Sequence, residues 1–258
     1  MARLAGRWGM LEHVDAAAGD EITGAGAQVD LAAELRLFLR RRHRPGPVTV
    51  SCDGVSSLGH VVQSLGVPLT EVGGLTVNGV PAEPSYRPAD GDRVRVDAMR
   101  RPQRLADPRF VLDVHLGTLA RRLRLLGIDS AYGNDADDDT LVKRANAERR
   151  VLLTQDRGLL QRRTLWAGGY VRGARPQDQL EDVLDRFAPP LAPWTRCVAC
   201  NGLLSPVSKA DVDPVLRPGT RRSYQSFSRC AECGHVYWRG AHSDRLQAII
   251  DSAVQPAT

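Results

Sequence analysis

Two short apolar runs in the second half of the chain each lead directly to a carboxylate. Phe110–Leu112 is followed by Asp113, and Val151–Thr154 is followed, one residue later, by Asp156. Continuous apolar runs separated by helix-length segments predict parallel strands that are covered on both faces. Open sheets of this kind place their binding sites at the carboxyl ends of the strands. We therefore expect these carboxylates to share one cleft.

The segments around these runs predict further helices and strands in alternation. One helix follows Asp113 and stops at Gly127, a strand lies near 128–132, and a second helix contains Leu141, Val142 and Ala145. After the second run, the pattern predicts a helix at 157–163, a short strand at 170–171 and a helix at 177–187. This alternation indicates an α/β domain with a parallel sheet over residues 110–190.

The first half of the chain has a different pattern. Short strands near 27–32, 48–50, 74–77 and 93–97 surround one helix, and Asn78-Gly79 and Asp90-Gly91 are strong turn signals. Residues 26–98 resemble the β-grasp fold, an α+β domain, of ubiquitin-like sulfur carriers. Such carriers end in a free Gly-Gly, whereas this strand continues into Arg100-Arg101-Pro102. We expect a binding or scaffolding domain, with a protein as its partner, and no sulfur-carrier chemistry.

The remaining segments are assigned by composition. Residues 1–25 are rich in Ala and Gly and are expected to form a disordered extension. Residues 99–109 are expected to be a linker, and residues 246–258 a C-terminal tail. The net charge of +5 permits a nucleic-acid partner. Arg121, Arg122 and Arg124 occupy the other positions of the helix after Asp113, where they could meet phosphates. A solvated face is the other interpretation of each Arg cluster, including Arg162-Arg163. No run approaches the roughly 20 apolar residues of a membrane span, and no signal peptide is recognisable, so we expect a cytoplasmic protein with no membrane contact.

An acidic segment lies between the two apolar runs. It contains Asp135, Asp137, Asp138 and Asp139, directly before the predicted second helix. An Asp at a helix start caps free backbone N–H groups, which accounts for one or two of the four. Like charges this close repel one another unless cations offset them. A metal site explains the excess better than capping does.

Two cysteine pairs follow the α/β domain. Cys197-x-x-Cys200 and Cys230-x-x-Cys233 are separated by 29 residues, the paired arrangement of a tetrathiolate Zn²⁺ site, over residues 191–245. Disulfides are the alternative, disfavoured by a cytoplasmic setting. Four thiolates close the coordination shell, so this zinc is expected to be structural. Aromatic residues in the same segment either stack on RNA bases or pack the small ribbon: Tyr224, Phe227, Tyr237 and Trp238.

Taken together, the ordered motifs resemble the PIN-like ribonuclease family first named from the C-terminus of Mut-seven exonucleases. The resemblance rests on 110–117, 119–127, 134–139 and 152–157, and it extends to about Ser243. It implies a PIN-like fold followed by a zinc ribbon and, in bacterial members, often preceded by a β-grasp domain. It also implies that Asp113, Asp138 and Asp156 bind catalytic ions. Asp139 is nearly as good a candidate as Asp138, with Asp135 and Asp137 in support and Asp178 a weak fourth acid.

The implied chemistry is metal-dependent RNA hydrolysis. Mg²⁺ and Mn²⁺ prefer carboxylate oxygens, and a pair of such ions about 3.5 to 4 Å apart activates water and stabilises the leaving oxygen. Hydrolysis of this kind leaves a 5'-phosphate and a 3'-hydroxyl. His115, near Asp113, is expected to be structural. An RNA-binding or ribosome-associated protein with a catalytically idle site is the alternative to the enzyme.

Overall fold

A computed structural model describes residues 26–239 and 243–254, so the expected N-terminal extension lies outside the described residues. The N-terminal sheet contains β1 (Ala27–Leu31), β2 (Val48–Val50), β3 (Val72–Val77), β4 (Val80–Pro81) and β5 (Arg93–Ala98). Its strand order is β2-β1-β5-β3-β4, and the central pair β1 and β5 is parallel. Helix α1 (Leu58–Ser64) packs its buried face on this sheet. The predicted β-grasp is confirmed.

The second sheet has four short parallel strands. They are β6 (Phe110–Leu112), β7 (Ser130–Tyr132), β8 (Val151–Thr154) and β9 (Gly168–Tyr170), in the order β7-β6-β8-β9. Both β6 and β8 are buried along their whole length, as their unbroken apolar runs predict. Strand β7 lies on one side of β6, and the chain then crosses back over β6 to form β8 on its other side. The connections therefore reverse direction between β6 and β8.

Helices cover both faces of this parallel sheet. The helices are α2 (Gly117–Leu125), α3 (Asp138–Ala147), α4 (Arg157–Leu160) and α5 (Pro176–Phe187). The buried faces of α2 and α5 share the larger core with one side of the sheet, while α3 and α4 contribute to a smaller core containing Val111 and Leu152. The fold class predicted from the sequence, a parallel-sheet α/β domain behind an α+β domain, is confirmed.

The ribbon segment contains more structure than its cysteine pairs alone predict. Strands β10 (Leu204–Val207), β11 (Phe227–Cys230) and β12 (Val236–Tyr237) form an antiparallel sheet. The long insertion between the cysteine pairs contains α6 (Lys209–Val212) and α7 (Pro218–Ser223). Helix α8 (Ser243–Val254) follows, and Ile250 lies in the larger core of the parallel-sheet domain. The segment expected as a tail thus includes a packed helix.

The β-grasp and the parallel-sheet domain contact each other closely. Phe38 packs edge-on against Tyr170, with ring centroids 5.0 Å apart, and the guanidinium of Arg157 lies over the Phe38 ring. The connecting segment is tied to both sides, since Met99 N–H donates to Glu71 and Gln103 N–H donates to Arg186. The end of the β-grasp is therefore fixed in place, unlike the free terminus of a carrier. In the described part of the chain, no helix has the length and apolar character needed to cross a membrane.

Candidate functional site

The carboxylate of Asp113 lies at the carboxyl end of β6, at the point where the sheet connections reverse. Its side chain is buried, with Oδ2 accepting a 2.6 Å hydrogen bond from the hydroxyl of Thr154 at the end of β8. The same hydroxyl accepts a 2.9 Å bond from the backbone N–H of Asp156. Thr154 therefore links two sequence-predicted acids through one buried polar group. The sequence signal for Thr154 is a hydroxyl at the end of an otherwise apolar run.

Two of the acids cap helices. Asp156 Oδ1 accepts hydrogen bonds from Gly158 N–H at 2.7 Å and Leu159 N–H at 3.3 Å, at the start of α4. Asp137 accepts a 2.7 Å bond from Thr140 N–H and is the N-cap of α3. Hydrogen bonds from Thr140 lower the pKa of the Asp137 carboxyl. Capping accounts for Asp137, as the first turn of a helix requires.

Asp138 and Asp139 occupy the first turn of α3 and are exposed. Capping does not explain them, although the helix dipole favours their charge. The guanidinium of Arg162 lies 3.8 Å from an oxygen of Asp138 and 3.4 Å from an oxygen of Asp139. Arg162 belongs to the pair Arg162-Arg163, for which the sequence favours a solvated face. Its side chain is half exposed, as that interpretation predicts, and its charge also lies beside the acidic segment.

The acids converge on one edge of the sheet without forming a compact cluster. Within residues 26–239 and 243–254, the four cysteines are the only group of three or more His, Cys, Asp or Glu whose ligand atoms all lie within 4.8 Å of one another. Asp178, the weak fourth candidate, is held by Arg175 through hydrogen bonds of 2.7 and 3.0 Å, which lower the pKa of its carboxyl. His115, expected to be structural, is exposed.

The four cysteine sulfurs are arranged as a tetrathiolate metal site requires. Cys197 Sγ lies 3.6 Å from Cys233 Sγ, and Cys200 Sγ lies 3.4 Å from Cys230 Sγ. A tetrahedral ion with Zn–S bonds of about 2.3 Å separates its sulfurs by about 3.8 Å, whereas a disulfide has an S–S bond of about 2.05 Å. All four are free cysteines. The residues present fit zinc and exclude the disulfide alternative in this structure.

The electrostatics of the cysteines support a bound cation. Burial raises the pKa of the Cys197 thiol, but the Tyr237 hydroxyl, 3.0 Å from the sulfur, and backbone N–H groups outweigh burial and lower this pKa to about 6. Burial and the neighbouring sulfurs raise the pKa of Cys200 to about 12. Four adjacent thiolates repel one another, so their joint ionisation requires a compensating positive charge.

The ribbon docks at the amino edge of the parallel sheet, opposite the acids. Asn201 forms hydrogen bonds with Asp129, which precedes β7, and with Ser130, which begins it. Asp129 also forms ion pairs with Arg150 and Arg196. Gly127 has a φ of +83°, and a Cβ there would lie 2.0 Å from the Ala192 carbonyl oxygen. The glycine is therefore required both to end α2 and to admit the chain that leads into the ribbon.

Arg124 also belongs to this anchor. The sequence grouped it with Arg121 and Arg122 as a residue that could meet phosphates. Its side chain is buried instead, and it donates to the carbonyl oxygens of Ser130, Val198 and Ala199. The expected phosphate contact is wrong for Arg124, because its side chain is buried and its Nε and Nη1 groups donate to these carbonyl groups.

Comparisons with known proteins agree with this architecture. Residues 108–250 match a family model described as the Mut7-C RNAse domain, and residues 24–104 match one described as Mut7-C ubiquitin. No curated protein matched the chain. The first model covers more than half of the sequence and confirms the resemblance carried by the acidic and cysteine motifs. The chain therefore belongs to the Mut7-C RNAse domain family, with a ubiquitin-like domain in front.

Proposed function

We propose that this protein is a ribonuclease that hydrolyses RNA phosphodiester bonds with Mg²⁺ or Mn²⁺ held by Asp113, Asp138 and Asp156. The observation that carries the proposal is the position of Asp113 and Asp156. They follow β6 and β8, the neighbouring parallel strands between which the connections reverse direction. Open α/β sheets bind their ligands in the crevice at this point.

The environment of Asp113 supports a role beyond local packing. It is only 8% exposed, yet in the described part of the chain its carboxylate accepts one hydrogen bond, from Thr154. A buried carboxylate is costly unless its oxygens are bonded or it binds a metal. The bond from Thr154 fixes the orientation of one oxygen. The second oxygen is not among the buried atoms of the described residues that lack a partner, so it is open to solvent, and this proposal assigns it to a divalent ion.

The acidic segment supplies the other side of the proposed site. A cavity of about 360 Å³ beside this segment is lined by Asp135, Asp137 and Arg144 but by none of the three proposed ligands, so it lies next to the proposed ion site and is not part of it. Mg²⁺ usually takes only one or two protein carboxylates and completes its shell with water and phosphate oxygens. Spread acids are therefore compatible with ion binding. Bound Mg²⁺ or Mn²⁺ would supply Lewis-acid activation of water and of the scissile phosphate.

The chain's own groups have separate tasks in this proposal. Asp113 and Asp156 place negative charge at the carboxyl edge of the sheet. Thr154 connects them, because its hydroxyl donates to the Asp113 side chain and accepts a hydrogen bond from the Asp156 backbone N–H. Asp138, with Asp139 beside it, supplies negative charge from the first turn of α3. Arg162 balances that charge when no ion is present and competes with ion binding.

The test is cleavage of a 5'-labelled mixed-sequence RNA by the full chain, with Mn²⁺, with Mg²⁺ and with neither. Wild type is expected to cleave only with an added ion and to leave labelled fragments that end in a 3'-hydroxyl. Asp113→Asn should lose activity by about 10²-fold or more, equivalent to roughly 2.7 kcal/mol. Asp90→Asn makes the same chemical change at an exposed acid of the β-grasp and is the matched control. Equal cleavage by both variants would sink the proposal.

One observation favours the alternative function, an RNA-binding protein with an idle site. Arg162 already pairs with Asp138 and Asp139, which reduces the charge left for ions. Arg162→Gln separates the two functions. An enzyme should need less Mn²⁺ for half-maximal cleavage after this change, whereas an idle site should remain inactive at every Mn²⁺ concentration.

A further inference from the structure

We propose that a groove on the zinc ribbon binds unpaired bases of single-stranded RNA by aromatic stacking. This inference rests on the proposed function, because it assigns the single-stranded part of the same substrate to a second site. The groove has a volume of about 700 Å³, within the range of ligand pockets. Its lining includes Trp194, Tyr224, Trp238 and Arg239.

One aromatic side chain of the groove, that of Trp238, is not accounted for by packing in a hydrophobic core. The small core of this segment consists of Val212, Leu216 and Phe227, with Tyr224 packed against its edge. Trp238 belongs to none of the core clusters of the described residues and is 40% exposed. Its ring lies 6.4 Å from that of Phe227, at a tilt of 57°. One large aromatic face is therefore open to a ligand.

The charge of the groove favours a nucleic acid over other ligands that bind to aromatic side chains. Among the described residues that line it there is no carboxylate, and the guanidinium of Arg239 lies 5.7 Å from the centre of the Trp194 ring. Basic side chains outnumber acidic ones between residues 191 and 239. Positive grooves in which bases stack on aromatic rings are typical of single-strand binding, and arginine adds stacking and cation–π contacts.

Polar groups at the rim fit the edges of bases. Ser223, Gln225, Ser226 and Ser228 line the groove, and Gln225 and Ser226 are exposed. Amide and hydroxyl groups both donate and accept hydrogen bonds, as the exposed edges of unpaired bases require. A duplex hides these edges and the faces of its bases. The groove should therefore discriminate single strands from duplexes.

The experiment measures binding without catalysis. Fluorescence anisotropy follows a labelled single-stranded RNA and its duplex form, with the full chain and without added Mg²⁺ or Mn²⁺. Trp238→Leu keeps an apolar side chain but removes the ring, and it should weaken single-strand binding about tenfold. Trp238→Tyr should retain most of the affinity. The salt dependence should not change, because its slope counts phosphate contacts. Duplex binding should be the same in all three proteins.

Zinc content and crosslinking make the result decisive. Each variant must retain wild-type zinc, which reports an intact ribbon. A single strand containing 4-thiouridine should crosslink wild type within the two segments that line the groove, residues 193–206 and 223–239, a readout that needs no variant. Wild-type affinity in the zinc-containing Trp238→Leu protein, equal losses in the Leu and Tyr variants, or crosslinks confined to other segments would overturn the groove assignment. If the Trp238 effect holds but no ion-dependent cleavage occurs, the proposed enzyme fails and the groove stands.

Discussion

Arg186 and Glu71 form a buried ion pair between the parallel-sheet domain and the β-grasp. Nη1 of Arg186 lies 2.7 and 2.8 Å from the two carboxylate oxygens of Glu71, and the side chains are 2% and 3% exposed. Glu71 also accepts a bond from Tyr170 N–H, and Nη2 of Arg186 donates to the Thr70 carbonyl. The pair therefore has hydrogen-bond partners on both sides of the interface.

The first prediction concerns this pair. Arg186→Met should lower the free energy of unfolding by about 3 to 5 kcal/mol, because it leaves the Glu71 charge buried without its partner. Urea unfolding of the full chain measures the effect. Arg95→Met is the control, since Arg95 pairs with Asp97 in an exposed ion pair and should cost less than about 1 kcal/mol. Equal losses in the two variants would show that the interface does not bury the charge.

The second prediction separates helix capping from the proposed ion binding within the acidic segment. Asp137→Ala removes the cap of α3 and should cost about 1 kcal/mol of stability, with cleavage reduced less than tenfold. Asp138→Asn should leave stability within about 1 kcal/mol, because repulsion between neighbouring acids falls as a favourable helix-dipole contact is lost. Its cleavage should fall about 10²-fold, equivalent to roughly 2.7 kcal/mol.

Thermal unfolding and RNA cleavage, each with and without Mn²⁺, measure these two variants. Wild type should gain stability from Mn²⁺, and Asp138→Asn should gain less. The assignment of Asp138 is contradicted if the two variants exchange their behaviour, with Asp137→Ala inactive and Asp138→Asn fully active.

The third prediction is one Zn²⁺ per chain, held by Cys197, Cys200, Cys230 and Cys233. Cys200→Ser should lose the zinc and unfold the ribbon, whose own core is too small to replace the metal. The β-grasp and parallel-sheet domain should remain folded, because their cores are separate clusters. Elemental analysis and limited proteolysis measure both effects. Cys52→Ser, outside the ribbon, is the control, and zinc-free wild type purified without chelator would refute the prediction.

The fourth prediction concerns acid pH and the ribbon anchor. Burial raises the pKa of the Asp129 carboxyl, but hydrogen bonds and charges from Arg150, Asn201 and Arg196 outweigh burial and lower it. The folded-state pKa thus lies below the ordinary value of about 3.9. Its contribution to stability is fully present above that value and is lost as pH falls through the depressed folded pKa.

A pH series of urea unfolding curves, from neutral pH to about pH 2, measures this contribution. Asp129→Asn should lower stability at neutral pH and flatten the acid limb of the pH profile. The matched change Asp90→Asn should leave the profile as in wild type. Parallel acid limbs for wild type and Asp129→Asn would contradict the assignment.

The architecture could be predicted from sequence because its signals are local. Unbroken apolar runs identify β6 and β8, and paired cysteines identify the ribbon. The domain interface could not be predicted, because Glu71, the partner of Arg186, is 115 residues away in the sequence. The position of Arg186 in α5 also gives no sign that its side chain is buried. The burial of Arg124 could not be predicted for the same reason, because two of its three backbone partners, Val198 and Ala199, lie in the ribbon. The acids could be placed at one edge, but their pairing with Arg162 depends on the packing of α4.

In the proposed function, the docking of the ribbon on the edge opposite the acids has a consequence for the length of the RNA substrate. Strands of three or four residues separate the two edges by roughly 10 to 14 Å. At about 3.4 Å per stacked nucleotide, a stacked strand that reaches both edges spans about three or four nucleotides. Dinucleotides should be poor substrates even with an intact acidic site, and the efficiency of cleavage should rise with chain length until both edges are filled.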